Sequence, residues 1–158
     1  MNSIAITIKT KKKVMKISYL EKAICLAVEK HKGQTDKGGM PYILHPIYVM
    51  SKMESEIEKI VAILHDVVED TDTTFEDLKN MGFSGEVLST LKCLTRGEEE
   101  DYFDYIGRIK VNPLAIKVKL ADLEHNMDFR RIKDITDEDI IKRTRKYKKA
   151  WDELKSSI

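Results

Sequence analysis

The stretch Ile63-Leu64-His65-Asp66-Val67-Val68-Glu69-Asp70-Thr71 sets a His-Asp pair one helical turn before a Glu-Asp pair, at the end of an apolar segment. An adjacent His and Asp can grip one metal ion. Side chains four apart share a helix face, so a helix continued through Val68 stacks Glu69 below His65 and Asp70 below Asp66. Two carboxylates that are not ligands then stand beside whatever the first pair binds, an arrangement suited to hydrolysis. Standing alone, the His-Asp pair reads better as a polar cap on a core helix with a solvated acidic end, because ionisable residues near helix ends are usually structural.

It does not stand alone. His31 closes the pattern Ile24, Ala27, Val28, and Asp122 follows the apolar run Leu114, Ile116, Val118, Leu120. His31, His65, Asp66 and Asp122 make a set of two imidazoles and two carboxylates from three helices. Such a mixed set suits Mn, Fe, Zn or Mg better than a closed structural zinc site. Four protein donors leave room for water on a metal that prefers six ligands, and such a water becomes a nucleophile near neutral pH.

Four separate blocks in this order carry a likeness to a known family: Ala27-Val28-Glu29-Lys30-His31-Lys32-Gly33-Gln34, Pro41-Tyr42-Ile43-Leu44-His45-Pro46, His65 to Thr71, and Lys117-Val118-Lys119-Leu120-Ala121-Asp122 followed by His125-Asn126-Met127. The chain resembles the HD-domain metal-dependent phosphohydrolases, and within them the RelA/SpoT-type hydrolase domains and small alarmone hydrolases. The resemblance implies an all-α fold, a single compact HD-domain bundle of about eight helices. It implies His31, His65, Asp66 and Asp122 as ligands of one divalent ion, Mn2+ by family habit, and Glu69 and Asp70 as catalytic carboxylates. Lys32, Lys37, Tyr42, His45 and Asn126 would line the substrate pocket. The implied reaction removes the 3′-pyrophosphate of (p)ppGpp to give GDP or GTP plus pyrophosphate. One departure concerns the loop after His31, where alarmone hydrolases commonly carry an Arg-Lys pair; here the loop is Gln34-Thr35-Asp36-Lys37-Gly38-Gly39-Met40, and an acid stands near the place of a cation.

At 158 residues, 42% hydrophobic and 35% charged, the chain fits one soluble, helix-rich domain over residues 18–158, preceded by a tail or short strand over residues 1–17. The synthetase and regulatory domains of larger family members have no room here, so purely hydrolytic activity is expected. Lys+Arg of 28 against Asp+Glu of 27 leaves no bulk basic field to favour nucleic acid as partner. The expected partner is a phosphorylated nucleotide; a homo-oligomer is left open. Nothing approaches the roughly 20 apolar residues of a membrane span. Met1 to Lys16 puts its apolar residues before Lys11-Lys12-Lys13, the reverse of a cleavable signal. Cys25 and Cys93 lack ligand spacing and read as two reduced core thiols, which with the rest points to the cytoplasm.

Helix punctuation is dense. Helices are expected from Tyr19 to Lys32, from Pro46, through Ile57, Ile60, Val61, Leu64 and Val68, from a Thr74 cap to Gly82, from Ser84, from Tyr102 after Glu98-Glu99-Glu100-Asp101, from Pro113 to the segment bearing Asp122, and from Asp137 to Lys155. The last would pack Ile140, Ile141, Thr144, Tyr147 and Trp151 and expose a basic face. Lys37, Arg108 and Lys110 are the cations expected to border the metal, while His125 reads as structural. Three functions stay open: an alarmone hydrolase, an HD-family phosphatase acting on another nucleotide, and a metal- or nucleotide-binding module without turnover.

Overall fold

Ser18, Ser55, Thr74, Ser84, Asn112 and Thr136 each accept a backbone N–H three residues on, so six helices begin where a short polar side chain satisfies an otherwise orphaned donor. The computed structural model describes residues 17–158, and the expectation for Met1 to Lys16 lies outside them. The described residues form an all-α bundle: α1 Tyr19–Lys30, α2 Leu44–Ser51, α3 Glu56–Leu64, α4 Val67–Asp70, α5 Phe75–Asn80, α6 Gly85–Leu94, α7 Tyr102–Ile109, α8 Pro113–Asn126 and α9 Asp137–Lys155, with a 3-10 turn at Phe129–Arg131. The second helix starts at Leu44, with Pro46 inside its first turn, where a missing N–H costs nothing. None of these helices is long and apolar enough to cross a membrane.

The helix expected to run through Val68 is interrupted. α3 ends at Leu64, and α4 begins at Val67. The cause is local: His65 Nδ1 donates to Ala62 O at 2.7 Å, occupying the carbonyl that a continuous helix would offer to the Asp66 N–H. Asp70 N–H still reaches Asp66 O at 2.9 Å, so the turn from Asp66 to Asp70 is kept while the one from His65 is opened.

α3 packs against α1, α2, α6 and α8. Its last five residues, Ile60 to Leu64, are all buried. The expected one-sided stripe is therefore wrong at its ends, since Ile57 is exposed and Val68 half-buried. The enclosed C-terminal half of α3 brings His65 and Asp66 into the interior of the bundle. α8 and α9 pack together, and α9 buries Ala150 and Leu154 while Ile141 stays exposed. Both cysteines are free, but Cys25 lies on the solvent side of α1 rather than in the core.

Arg108 and Lys110 do not border the metal residues. Arg108 is engaged by Glu100 and by the carbonyls of Lys92, Cys93 and Thr95, clamping α7 to the end of α6, and Lys110 pairs with Glu153. The Arg108 guanidinium, helped by the Gly97 N–H, holds the Glu100 carboxyl down at about 2. A depressed carboxyl stabilises the fold above its unfolded value near 4.5 and loses that contribution as the pH falls to about 2. Both partners are partly solvated, so Glu100→Gln is expected to cost about 1 kcal/mol at pH 7 in urea unfolding, and almost nothing at the acid end of that window. An equal deficit at both pH values would mean that the ion pair contributes nothing.

Candidate metal and substrate site

Three helix ends and one helix face converge beside a cavity of about 390 Å3 lined by His45, Asp66 and Asp122, a size suited to a small-molecule ligand. His31 ends α1, His45 lies in the first turn of α2, His65 ends α3, and Asp122 projects from α8; all four are buried. His45, His65 and Asp122 bring one candidate ligand atom each to within 4.8 Å of one another. His45 Nε2 is 3.1 Å from Asp122 Oδ1 and 3.6 Å from Asp66 Oδ2, and His65 Nε2 is 3.0 Å from Asp66 Oδ2. Asp66 thus adjoins this three-residue group, and His31 is not one of its members.

The second nitrogens explain how the imidazoles are set. Carbonyl oxygens only accept, so His65 Nδ1–H donates to Ala62 O and His31 Nδ1–H to Gln34 Oε1. Gln34 is itself oriented by Nε2–H donation to Asp70 O at 3.0 Å. His31 Nε2 is left buried without a hydrogen-bond partner, and His65 Nε2 faces only carboxylate oxygens, with Asp66 Oδ2 at 3.0 Å. Buried polar atoms are rarely orphaned, and imidazoles fixed through one nitrogen with the other free beside carboxylates are what a divalent cation requires. The donor set fits such an ion.

The carboxylates dominate the local electrostatics. Burial disfavours an imidazolium at His65, but Asp66 outweighs it and the group is pushed up to about 9. Burial likewise opposes charge on Asp66 and Asp122, yet His65 keeps the first ionised, and Lys119 with His45 keeps the second ionised. Lys119 reaches Asp122 Oδ2 at 2.6 Å, three residues away on the same face of α8. Tyr42 donates its hydroxyl to Asp66 Oδ2, and burial with that carboxylate raises the phenol far above its usual range. Glu69 and Asp70 stand on the cavity wall, open to solvent. Partial desolvation, with the Asp66 charge alongside, lifts both carboxyls above their ordinary range even though Glu69 accepts the Arg96 N–H and Asp70 is near the Tyr42 hydroxyl.

Lys37, Tyr42, His45 and Asn126 line the cavity, and Asn126 also donates to Asp122 Oδ1. Lys32 does not: one residue past His31 it turns out to solvent. His125 is buried between the rings of His45 and Tyr48, and burial with nearby Arg131 lowers it to about 4, so the ring is neutral at pH 7 and its Nδ1 accepts from Arg131. Lys119, Arg131, Arg143 and Tyr147 also line the cavity. Of these, only Lys119 had a local signal, its spacing of three from Asp122.

An all-α bundle that opens a helix at a His-Asp pair and gathers further histidine and carboxylate donors around it is an HD-type domain. No family model matches the chain. It is 31% identical over 126 residues to the bifunctional (p)ppGpp synthase/hydrolase SpoT of Escherichia coli (strain K12), covering 70% of this chain and 18% of SpoT. It is 34% identical over 120 residues to the guanosine-3′,5′-bis(diphosphate) 3′-pyrophosphohydrolase of Aquifex aeolicus, covering 68% of this chain and 17% of that protein. The chain therefore spans less than a fifth of the length of these relatives. A solved structure of a metazoan ortholog of SpoT, one that hydrolyzes ppGpp and plays a role in starvation responses, superposes with a TM-score of 0.76 at 25% identity over 90% of this chain and 89% of that one. The chain belongs to the SpoT-related family of HD-type proteins.

Proposed function

We propose that this chain is a metal-dependent phosphohydrolase that removes the 3′-pyrophosphate of (p)ppGpp, giving GDP or GTP plus pyrophosphate. The observation that carries the reading is the buried cluster of His45, His65 and Asp122, with Asp66 against it and Glu69 and Asp70 on the wall of the same cavity. His31, His65, Asp66 and Asp122 would hold one divalent ion, Mn2+ by the family resemblance, with His45 Nε2 as a further donor in the same cluster. When bound, such an ion polarises a phosphoryl oxygen and acidifies water.

The chain's own groups supply the rest. Glu69 and Asp70, with raised affinity for protons, accept one from the attacking water and return it to the ribose 3′ oxygen as its bond to phosphorus breaks. Their nearness makes them titrate as a pair, so base and acid are roles of the two together. Tyr42 steadies Asp66, and Gln34 fixes the rotation of His31. Lys37 and Arg143, both on the cavity lining, offset phosphate charge. Asn126 faces the nucleoside; Lys32, on the outer surface, takes no part.

A second reading, hydrolysis of a different phosphorylated nucleotide, is favoured by one feature. Asp36 lines the cavity in the loop after His31 and is paired with Arg131. The test is to measure phosphate and pyrophosphate release from ppGpp, pppGpp, ordinary nucleotides and NADPH with manganese present. Pyrophosphate from ppGpp, and no ppGpp made from GDP and ATP, is the expected result. Turnover of another nucleotide with ppGpp intact would establish the second reading, and no turnover of any would leave a binding module.

A further inference from the structure

We propose that Arg131, held in place by Asp36, is the platform on which the nucleobase of the substrate stacks, a substrate-binding contact that rests on the nucleotide-hydrolase reading above. Arginine carries five N–H donors in one plane. Here Nη1 donates to His125 Nδ1 at 3.0 Å and to His125 O at 3.1 Å, and Nη2 donates to Asp36 Oδ2 at 2.7 Å. Asp36 is immobilised in turn, because its Oδ1 accepts the Gly38 and Met40 N–H groups, both at 2.9 Å. The loop also lies directly on the turn that bears Arg131: a Cβ at Gly38 would overlap the Arg131 carbonyl oxygen, so only glycine permits the approach.

The guanidinium is therefore fixed in orientation and compensated in charge, and it lines the cavity beside Ile132. A phosphate clamp needs a free fork of donors and an unmatched charge. The Asp36 carboxylate already matches the Arg131 charge, and three of the five donors are committed. Its flat face is left unengaged by these bonds, and guanidinium planes stack on nucleobases. Lys37 and Arg143 on the same cavity are left to meet the phosphates. The acid in this loop thus orients a stacking cation on another element.

The experiment uses the full chain loaded with manganese and measures binding of GDP and of inorganic pyrophosphate by calorimetry, with KM and kcat for the nucleotide alongside. Arg131→Lys keeps the charge and removes the plane. Base stacking is worth about 1–3 kcal/mol, so GDP affinity should fall about 5- to 150-fold while pyrophosphate affinity stays within about two-fold, and the kinetic loss should appear in KM rather than kcat. Asp36→Ala, which frees Arg131 without removing it, should also weaken GDP alone. Unchanged GDP affinity in Arg131→Lys, equal loss of both ligands, or tighter pyrophosphate binding in Asp36→Ala would overturn the proposal, the last by revealing a phosphate clamp that Asp36 restrains. Binding is read whether or not turnover occurs, so failure of the hydrolase reading and failure of this one are separately visible.

Discussion

Exchanging Glu69 and Asp70 together for Gln and Asn is expected to lower kcat by about 10² to 10⁴-fold, the usual worth of positioned acid-base groups, while metal content and thermal unfolding stay close to the parent. Neither carboxylate belongs to the buried His45, His65 and Asp122 group, so the metal donors survive the double change. The Arg96 N–H donates to Glu69 Oε2 at 2.9 Å, and the amide introduced by Glu69→Gln keeps a carbonyl oxygen there to accept it. Removing the two charges also relieves their repulsion with Asp66, which already raises both carboxyls. Elemental analysis and a melting curve on the same preparation separate chemistry from folding. A variant that hydrolyses its substrate within a few-fold of the parent would make these residues a solvated helix end.

Asp66→Ala is expected to abolish stoichiometric metal binding, from about one divalent ion per chain to essentially none, and activity with it. Asp66 lies 3.0 Å from His65 Nε2 and 3.6 Å from His45 Nε2, and it takes the Tyr42 hydroxyl. Its removal takes away the charge that a cation between those imidazoles would share, and strands the hydroxyl as well. Asp66→Asn keeps the hydrogen bond from Tyr42, so a loss of metal in that variant too assigns the effect to the charge and not to a collapsed pocket. Full metal occupancy in both would remove Asp66 from the site.

What could be read along the chain is what acts within about four residues. Thr74 with Asp77, Ser84, Pro113 and the span Asp137–Lys155 declare helix ends because a cap or a proline works on its immediate backbone neighbours. The pairing of Asp66 with Asp70 was legible for the same reason, as was the all-α class. The break before Asp66 was not, because it turns on which carbonyl the His65 side chain captures, a competition that apolar periodicity does not encode.

Tertiary structure alone decided the neighbours of the site. His45 and His125, 80 positions apart, bring their rings together only when α2 and α8 pack, which carries His45 beyond the expected pocket lining into the cluster with His65 and Asp122. Arg108 had every local qualification as a phosphate cation, yet long-range contacts gave it to Glu100 and three carbonyls. Asp36 and Arg131, 95 positions apart, are an acid in a loop and a base after a helix until folding makes them one ion pair. Residue type and local spacing determined the elements and the kind of chemistry in this protein. Which charges were left free to perform it was settled by packing, because a charge is consumed by whatever partner the fold brings within reach.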